Sequence, residues 1–213
     1  MNSSIQTLAI SAVPILFAIT LHEAAHGYVA RMFGDYTAWK LGRISLNPLR
    51  HIDPLGTILL PALTFLASGF MFGWAKPVPV NFGNLRNPKR DMLWVALAGP
   101  GANFVMALAW ATMLKIVLSV DEMAYSEAMR QMAVAGISVN AMFMALNLLP
   151  LLPLDGGRIL TSLLPGRAAD KFAQTERYGM WILIALLLTH VLDAILRPLL
   201  QLFLGLITSI FGF

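Results

Sequence analysis

Two histidines and a glutamate stand close together in the sequence His22-Glu23-Ala24-Ala25-His26. On a helix, positions i and i+4 lie on one face, so the two imidazoles can bind one metal ion. His-Glu-x-x-His is a spacing at which two histidines bind zinc while the glutamate acts as general base toward a water molecule. Zinc lowers the pKa of that water, which prepares it to attack a peptide carbonyl. The motif therefore predicts a zinc site with hydrolytic chemistry.

The surroundings of this motif favour metal binding over a structural role. In a soluble helix, a histidine pair at this spacing is often a solvated face or a hydrogen-bonded core pair. Here the pair lies in an apolar stretch from Ile5 to about Phe33, in which Glu23 is the only charged side chain before Arg31. A charge at the centre of a membrane helix costs on the order of 2.5–3.5 kcal/mol on insertion scales. Packing gives no reason for three such residues within one helical turn and a half.

A catalytic zinc site usually has three protein ligands, so a third one is needed. No further histidine occurs in the stretch 27–35 that follows the motif. Three downstream glutamates, Glu122, Glu127 and Glu176, lie near the ends of apolar spans or in loops. Asp155 is the better candidate.

Asp155 follows an apolar span that is broken by Pro150 and Pro153. The first helix and this later one both run inward, and each reaches its polar residues near the same end, so the three side chains should lie at similar depth. Unwound backbone is tolerated in a membrane only within protein or around a cavity. The alternative role for this carboxylate is an N-cap before Gly156 and Gly157, but the matching depth favours metal ligation.

The composition indicates an integral membrane protein. Of the 213 residues, 58% are hydrophobic and 12% are charged, against about 45–50% and about 25% in a soluble domain. The chain has no cysteine, which excludes disulfides and thiolate metal sites. Its net charge of +4 comes from basic residues between apolar spans, where they set topology and meet anionic lipid rather than nucleic acid. The first apolar segment lacks the flanks of a signal peptide, so we expect it to be retained.

The hydropathy pattern predicts an all-α polytopic membrane protein with one domain over residues 1–213, in which a helical bundle carries a small β-hairpin or extended element after the first helix. The predicted spans cover approximately residues 5–33, 92–120, 131–149 and 178–196. The segment 52–73, interrupted by prolines and glycine, either re-enters or spans the membrane, and 198–213 is a further span or an interfacial helix. Alternating residues over 38–46 favour a strand or a hairpin.

Charge in the loops predicts the orientation. The loops at 31–50, 74–90 and 158–177 are basic, and the loop at 121–127 is acidic. The positive-inside rule places the basic loops in the cytoplasm. We therefore expect an integral membrane protein whose active site lies near the cytoplasmic side.

Two motifs in this order resemble the site-2 proteases, which are intramembrane zinc metalloproteases. The first is His-Glu-x-x-His, and the second is the series Asn147, Pro150, Pro153, Asp155 and Gly156. The stretch 98–103, Ala-Gly-Pro-Gly-Ala-Asn, is also similar to a motif of that family. The resemblance covers roughly residues 21–160, and the insert around 74–81 is similar to a compact bacterial and archaeal branch without PDZ or CBS domains. This similarity implies a location in a prokaryotic inner membrane.

The resemblance implies a role for each matched residue. His22, His26 and Asp155 would bind one Zn²⁺ per chain, and Glu23 would be the catalytic base. Asn147 would orient substrate or stabilise the oxyanion, with an interhelical hydrogen bond as an equal alternative.

The function expected from the residues and the resemblance is hydrolysis of peptide bonds in transmembrane or membrane-tethered proteins, as in regulated intramembrane proteolysis. Membrane lipids are expected partners, and nucleic acid is not. The extended segment 76–81 either pairs with a substrate strand or is a plain loop. Two alternatives remain open: a zinc-binding transporter, and a membrane metallopeptidase of another family in which a glutamate is the third ligand.

Overall fold

The computed structural model describes residues 3–59, 63, 76–120 and 126–213, and within these residues the chain is helical and has no strand. The helices are α1 (Ser3–Met32), α2 (Thr37–Lys40), α3 (Pro88–Ser119), α4 (Ser126–Asn147), α5 (Asp155–Leu163), α6 (Gly166–Ala173), α7 (Glu176–Leu188) and α8 (Val191–Phe211). Short 3₁₀ turns cover Pro48–Arg50 and Phe82–Asn84. The predicted all-α membrane bundle is confirmed.

Four of the described helices contain stretches long and apolar enough to cross a membrane. These stretches are Ile10–Met32, Pro88–Ser119, Glu127–Asn147 and Val191–Phe211. The first three coincide with the spans expected at 5–33, 92–120 and 131–149. The fourth overlaps the segment 198–213, for which the sequence left a span and an interfacial helix open.

The stretch expected to span at 178–196 is divided between two helices. Helix α7 ends at Leu188, and α8 begins at Val191. Between them His190 adopts a left-handed backbone with φ 58°, a conformation that is uncommon for a residue other than glycine. Hydropathy registers the apolar residues on both sides of this point, but it does not register a local change of backbone direction.

The β-hairpin expected over 38–46 is wrong for these residues, all of which the structure describes. Thr37–Lys40 form α2, and a turn follows in which Gly42 has φ 62°. Asp35 accepts hydrogen bonds from the backbone N–H and the hydroxyl of Thr37. Such local side-chain bonds compete with a strand ladder, and they outweigh the alternating pattern here.

The prediction for 52–73 lies mostly outside the described residues. Within that segment Pro54–Leu59 form a π-helical turn. Whether the segment re-enters or spans stays a prediction.

Alanines form much of the contact between the long helices. Helix α1 packs against α3 and α4, these two pack against each other, and α5 packs against α3. Fully buried alanines on the three long helices include Ala18, Ala30, Ala107, Ala111, Ala133, Ala141 and Ala145. Small side chains let helix backbones approach closely in a membrane. The close approach brings polar side chains of α1, α3, α4 and α5 within hydrogen-bonding distance of one another.

Candidate metal centre

Three side chains from two distant parts of the chain meet inside the bundle. His22 Nε2 lies 3.2 Å from Asp155 Oδ2, and His26 Nε2 lies 3.3 Å from Asp155 Oδ1. The two Nε2 atoms are 3.1 Å apart. Within the part of the chain that the structure describes, these residues form the one group of histidine and carboxylate side chains that could hold a metal ion.

The separations suit zinc. Zinc bonds to nitrogen and oxygen are roughly 2.0–2.2 Å long and tetrahedral, which places neighbouring ligand atoms about 3.3–3.5 Å apart. The three observed separations lie at or slightly below this distance. A small outward movement of the side chains would complete three corners of a tetrahedron, with the fourth left for water or substrate.

The hydrogen bonds of the imidazoles show which atoms are free to bind metal. His26 Nδ1 lies 2.7 Å from the carbonyl oxygen of Val95, which can only accept, so Nδ1 carries the proton. His22 Nδ1 likewise donates to Asn103 Oδ1 at 2.6 Å. In both neutral rings the proton on Nδ1 leaves a lone pair on Nε2. The two Nε2 atoms and the carboxylate face one another, so neutral rings would offer two lone pairs and a carboxylate to one cation.

Asn103 on α3 is a residue whose role the sequence did not predict. Its Nδ2 donates to the Ala18 carbonyl at 3.2 Å and to Asn140 Oδ1 at 2.9 Å, so its Oδ1 must be the atom that faces His22. Asn140 in turn donates to the Gly136 carbonyl at 2.8 Å. Both asparagines are fully buried. An amide in an apolar span needs partners, and this cost was the signal that could have singled it out.

We expect Asn103→Leu to weaken zinc binding about 10–100-fold, the usual effect of losing a hydrogen-bond partner of a metal-bound histidine. Leucine is close to asparagine in size but leaves the Nδ1 proton of His22 without an acceptor. Competition with a chromophoric chelator on detergent-solubilised protein measures the affinity. Thr112→Val is the control, because Thr112 is an exposed residue of the same helix whose hydroxyl bonds its own backbone. Equal affinity of the two variants would contradict the assignment.

Glycines bring the separate pieces of the site together. A Cβ atom at Gly99 on α3 would lie 2.5 Å from ring atoms of both His22 and His26. At Gly156 a Cβ would meet the carbonyls of Leu148 and Leu149. The absence of side chains therefore lets α3 lie against the imidazoles and lets the chain after α4 fold back onto α5, which begins at Asp155.

Glu23 is partly exposed and lies beside the first histidine. Its Oε2 accepts a hydrogen bond from the backbone N–H of Val78 at 2.7 Å. No other hydrogen bond to this carboxylate occurs within the described residues.

Asn147 is not part of this cluster in the structure. It is the last residue of α4, and its Nδ2 donates to the Phe143 carbonyl of the same helix at 3.0 Å. Among the described residues it makes no hydrogen bond to His22, His26 or Asp155. Its role as an oxyanion donor stays a prediction.

The glutamates considered as third ligands lie elsewhere. Glu127 and Glu176 are exposed, and they pair with Arg130 at 2.7 Å and Arg158 at 2.9 Å. Glu122 lies outside the described residues. Asp155 is therefore the carboxylate that the described structure places against the two histidines.

Membrane-spanning helices that enclose two histidines, an aspartate and a neighbouring glutamate are features of an intramembrane metalloprotease. The family model described as Peptidase family M50 matches residues 111–190, a range that includes Asp155. YwhC of Bacillus subtilis, provisionally named a zinc metalloprotease, is 38% identical over 192 residues, which are 89% of this chain and 84% of that protein. The chain belongs to peptidase family M50, the site-2 proteases, and is a membrane-embedded zinc metalloprotease.

More distant relatives carry the same kind of name. Rip2 of Mycolicibacterium smegmatis, also provisionally named a zinc metalloprotease, is 31% identical over 84% of this chain and 66% of its own length. Rip2 of Mycobacterium tuberculosis strain H37Rv is 27% identical over the same shares of the two chains. No solved structure matches the chain significantly.

Proposed function

We propose that the protein hydrolyses peptide bonds of transmembrane or membrane-tethered proteins. In this proposal His22, His26 and Asp155 hold one zinc ion, and Glu23 is the general base. The observation that carries the proposal is the convergence of two imidazole Nε2 atoms and a carboxylate within 3.3 Å of one another. Two imidazole nitrogens and a carboxylate are the donor set that a catalytic zinc ion takes, and here they face one another inside the bundle.

The chemistry divides between the metal and the chain. A bound zinc ion lowers the pKa of a water ligand and polarises the scissile carbonyl. The Glu23 carboxylate takes a proton from the attacking water and passes it to the nitrogen of the leaving peptide. The hydrogen bonds from Nδ1 of His22 to Asn103 and from Nδ1 of His26 to the Val95 carbonyl would orient both rings with Nε2 toward the metal.

We further propose that the whole chain is one protease domain in a prokaryotic inner membrane, with the active site near the cytoplasmic side. The basic loops at 31–50 and 158–177 follow the helix of the histidines and the start of α5, which supports this orientation. Regulated intramembrane proteolysis is the process in which such a position is useful, because a cut at that depth releases a substrate into the cytoplasm.

A reconstituted system tests the proposal. Purified protein in proteoliposomes with a single-span test peptide is expected to cut the peptide. Cleavage should stop on treatment with 1,10-phenanthroline and return when zinc is restored to about one ion per chain. Mass spectrometry of the fragments and metal analysis of the protein give the two readouts. Cleavage that is insensitive to complete zinc removal would rule out the proposed mechanism.

The same vesicles separate the protease from a transporter. A zinc-sensitive dye inside them reports zinc entry. Zinc flux without cleavage of any test peptide would favour the transporter.

A further inference from the structure

The catalytic glutamate of the proposed mechanism is held by a backbone group far away in sequence. We propose that the main-chain N–H of Val78 is a positioning group for Glu23, which fixes one carboxylate oxygen so that the other is presented to the reacting water. The inference rests on the proposed role of Glu23 as general base. The inference is drawn from the 2.7 Å hydrogen bond that Val78 N donates to Glu23 Oε2, between residues 55 positions apart.

The sequence around Val78 leaves a single hydrogen-bond donor at this place. Val78 lies between Pro77 and Pro79, and neither proline has a backbone N–H. A residue before proline is also restricted to extended conformations, and residues 76–81 form neither a helix nor a strand. The segment can therefore approach the carboxylate with one defined donor and with no neighbouring N–H that competes for it.

The segment is anchored on the side before Val78. Arg43 Nη2 donates to the carbonyl oxygens of Lys76 at 3.0 Å and Pro77 at 3.2 Å. The Lys76 N–H donates to the carbonyl of His51 at 2.9 Å. These bonds fix the two residues that precede the donor.

Val78 itself is packed onto the helix that carries the glutamate. Its side chain is buried, and its Cγ1 would lie 3.0 Å from a Cβ at Gly27, one turn along α1 from Glu23. Because Gly27 has no side chain, the segment 76–81 can lie directly against the helix. The packing and the hydrogen bond to Glu23 therefore act on the same residue.

The other end of the segment is held by Asp35. The Asn81 N–H donates to Asp35 Oδ2 at 2.7 Å, and Asn84 Nδ2 donates to Oδ1 at 3.2 Å. Burial acts to raise the pKa of Asp35, but the hydrogen bonds from Thr37, Asn81 and Asn84 hold it below its usual value. An ionised Asp35 is a strong acceptor, so the donor at Val78 is fixed from both sides.

A fixed donor matters because proton transfer depends on the placement of the base. A misplacement of about 1 Å can cost on the order of 10²-fold in rate. The hydrogen bond from Val78 is made to Glu23 and involves none of the three proposed zinc ligands. Its loss should therefore lower kcat and leave KM and zinc content unchanged, a pattern that general unfolding would not give.

The test compares Val78→Pro, which removes the N–H, with Val80→Pro in the same segment, whose N–H makes no hydrogen bond in the described structure. We expect Val78→Pro to lower kcat about 10–100-fold relative to Val80→Pro, with KM and zinc stoichiometry the same in both. Val78→Ala keeps the N–H and should restore most of the lost kcat. Equal kcat in the two proline variants, or a higher kcat in Val78→Pro, would overturn the proposal.

A spectroscopic measurement keeps the proposal testable if Val78→Pro does not fold. With selectively ¹⁵N-valine-labelled protein, the Val78 amide proton should resonate far downfield in the wild type. It should move upfield in Glu23→Gln more than any other valine amide, because a charged acceptor becomes neutral. An unmoved Val78 resonance refutes the contact. Failure of the base assignment gives a different result. In that case the Glu23→Gln protein still cuts the peptide, although its Val78 amide resonance has moved upfield.

Discussion

The Glu23→Gln protein is expected to keep its zinc and to lose cleavage by up to about 10⁴-fold, the upper range for removing a general base. Glutamine has the same shape as glutamate, and its carbonyl can still accept the Val78 N–H, so the local structure should be retained. An amide cannot take a proton from water near neutral pH. Initial rates on the reconstituted single-span peptide and metal analysis of the same preparation measure the two quantities.

Glu176→Gln is the matched control for this variant. Glu176 is exposed and pairs with Arg158, so the same chemical change occurs outside the metal centre. We expect this control to cut at close to the wild-type rate. Wild-type cleavage by Glu23→Gln would show that another residue is the base, and loss of zinc from it would show that Glu23 acts in metal binding.

The second large effect is expected from a single methyl group. Gly99→Ala places a Cβ within 2.5 Å of ring atoms of His22 and His26, where no carbon can be accommodated without movement. The two imidazoles must then separate or turn, which destroys the spacing that zinc requires. We expect loss of zinc from the purified protein and, with it, loss of cleavage.

Gly101→Ala provides a control on the same helix. A Cβ at Gly101 would meet no atom within 4 Å, and the position is exposed. Replacing glycine by alanine within a helix ordinarily stabilises it by about 0.5–1 kcal/mol. Gly101→Ala should thus bind zinc like the wild type and melt no lower. Zinc retention by Gly99→Ala would show that the site is looser than the structure describes.

The sequence by itself determined the features that depend on local periodicity and on the cost of charge in lipid. His22 and His26 are four positions apart, and a helix places such residues on one face whatever surrounds it. The apolar stretches required membrane helices, since lipid cannot satisfy free backbone groups. Asp155 was also within reach of this reasoning, because two helices that run the same way bring the polar residues near their ends to the same depth.

Local reasoning was wrong or silent where distant contacts or local side-chain bonds decide the outcome. The alternation over 38–46 indicated a hairpin, but Asp35 bonds Thr37 and begins a helical turn instead. The sequence around residue 190 also predicted one long helix, whereas the structure has two helices, α7 and α8, separated at His190. The hydropathy profile is the same for both arrangements.

The tertiary structure alone decided how the metal centre is supported. Asn103 meets His22 across 81 positions, and Val78 meets Glu23 across 55. Gly99 matters because of two rings on another helix, not because of its neighbours in sequence. The type and spacing of residues fix what one helix presents on a face. Which groups surround that face depends on how closely the helices pack, and this follows from contacts that no local pattern records.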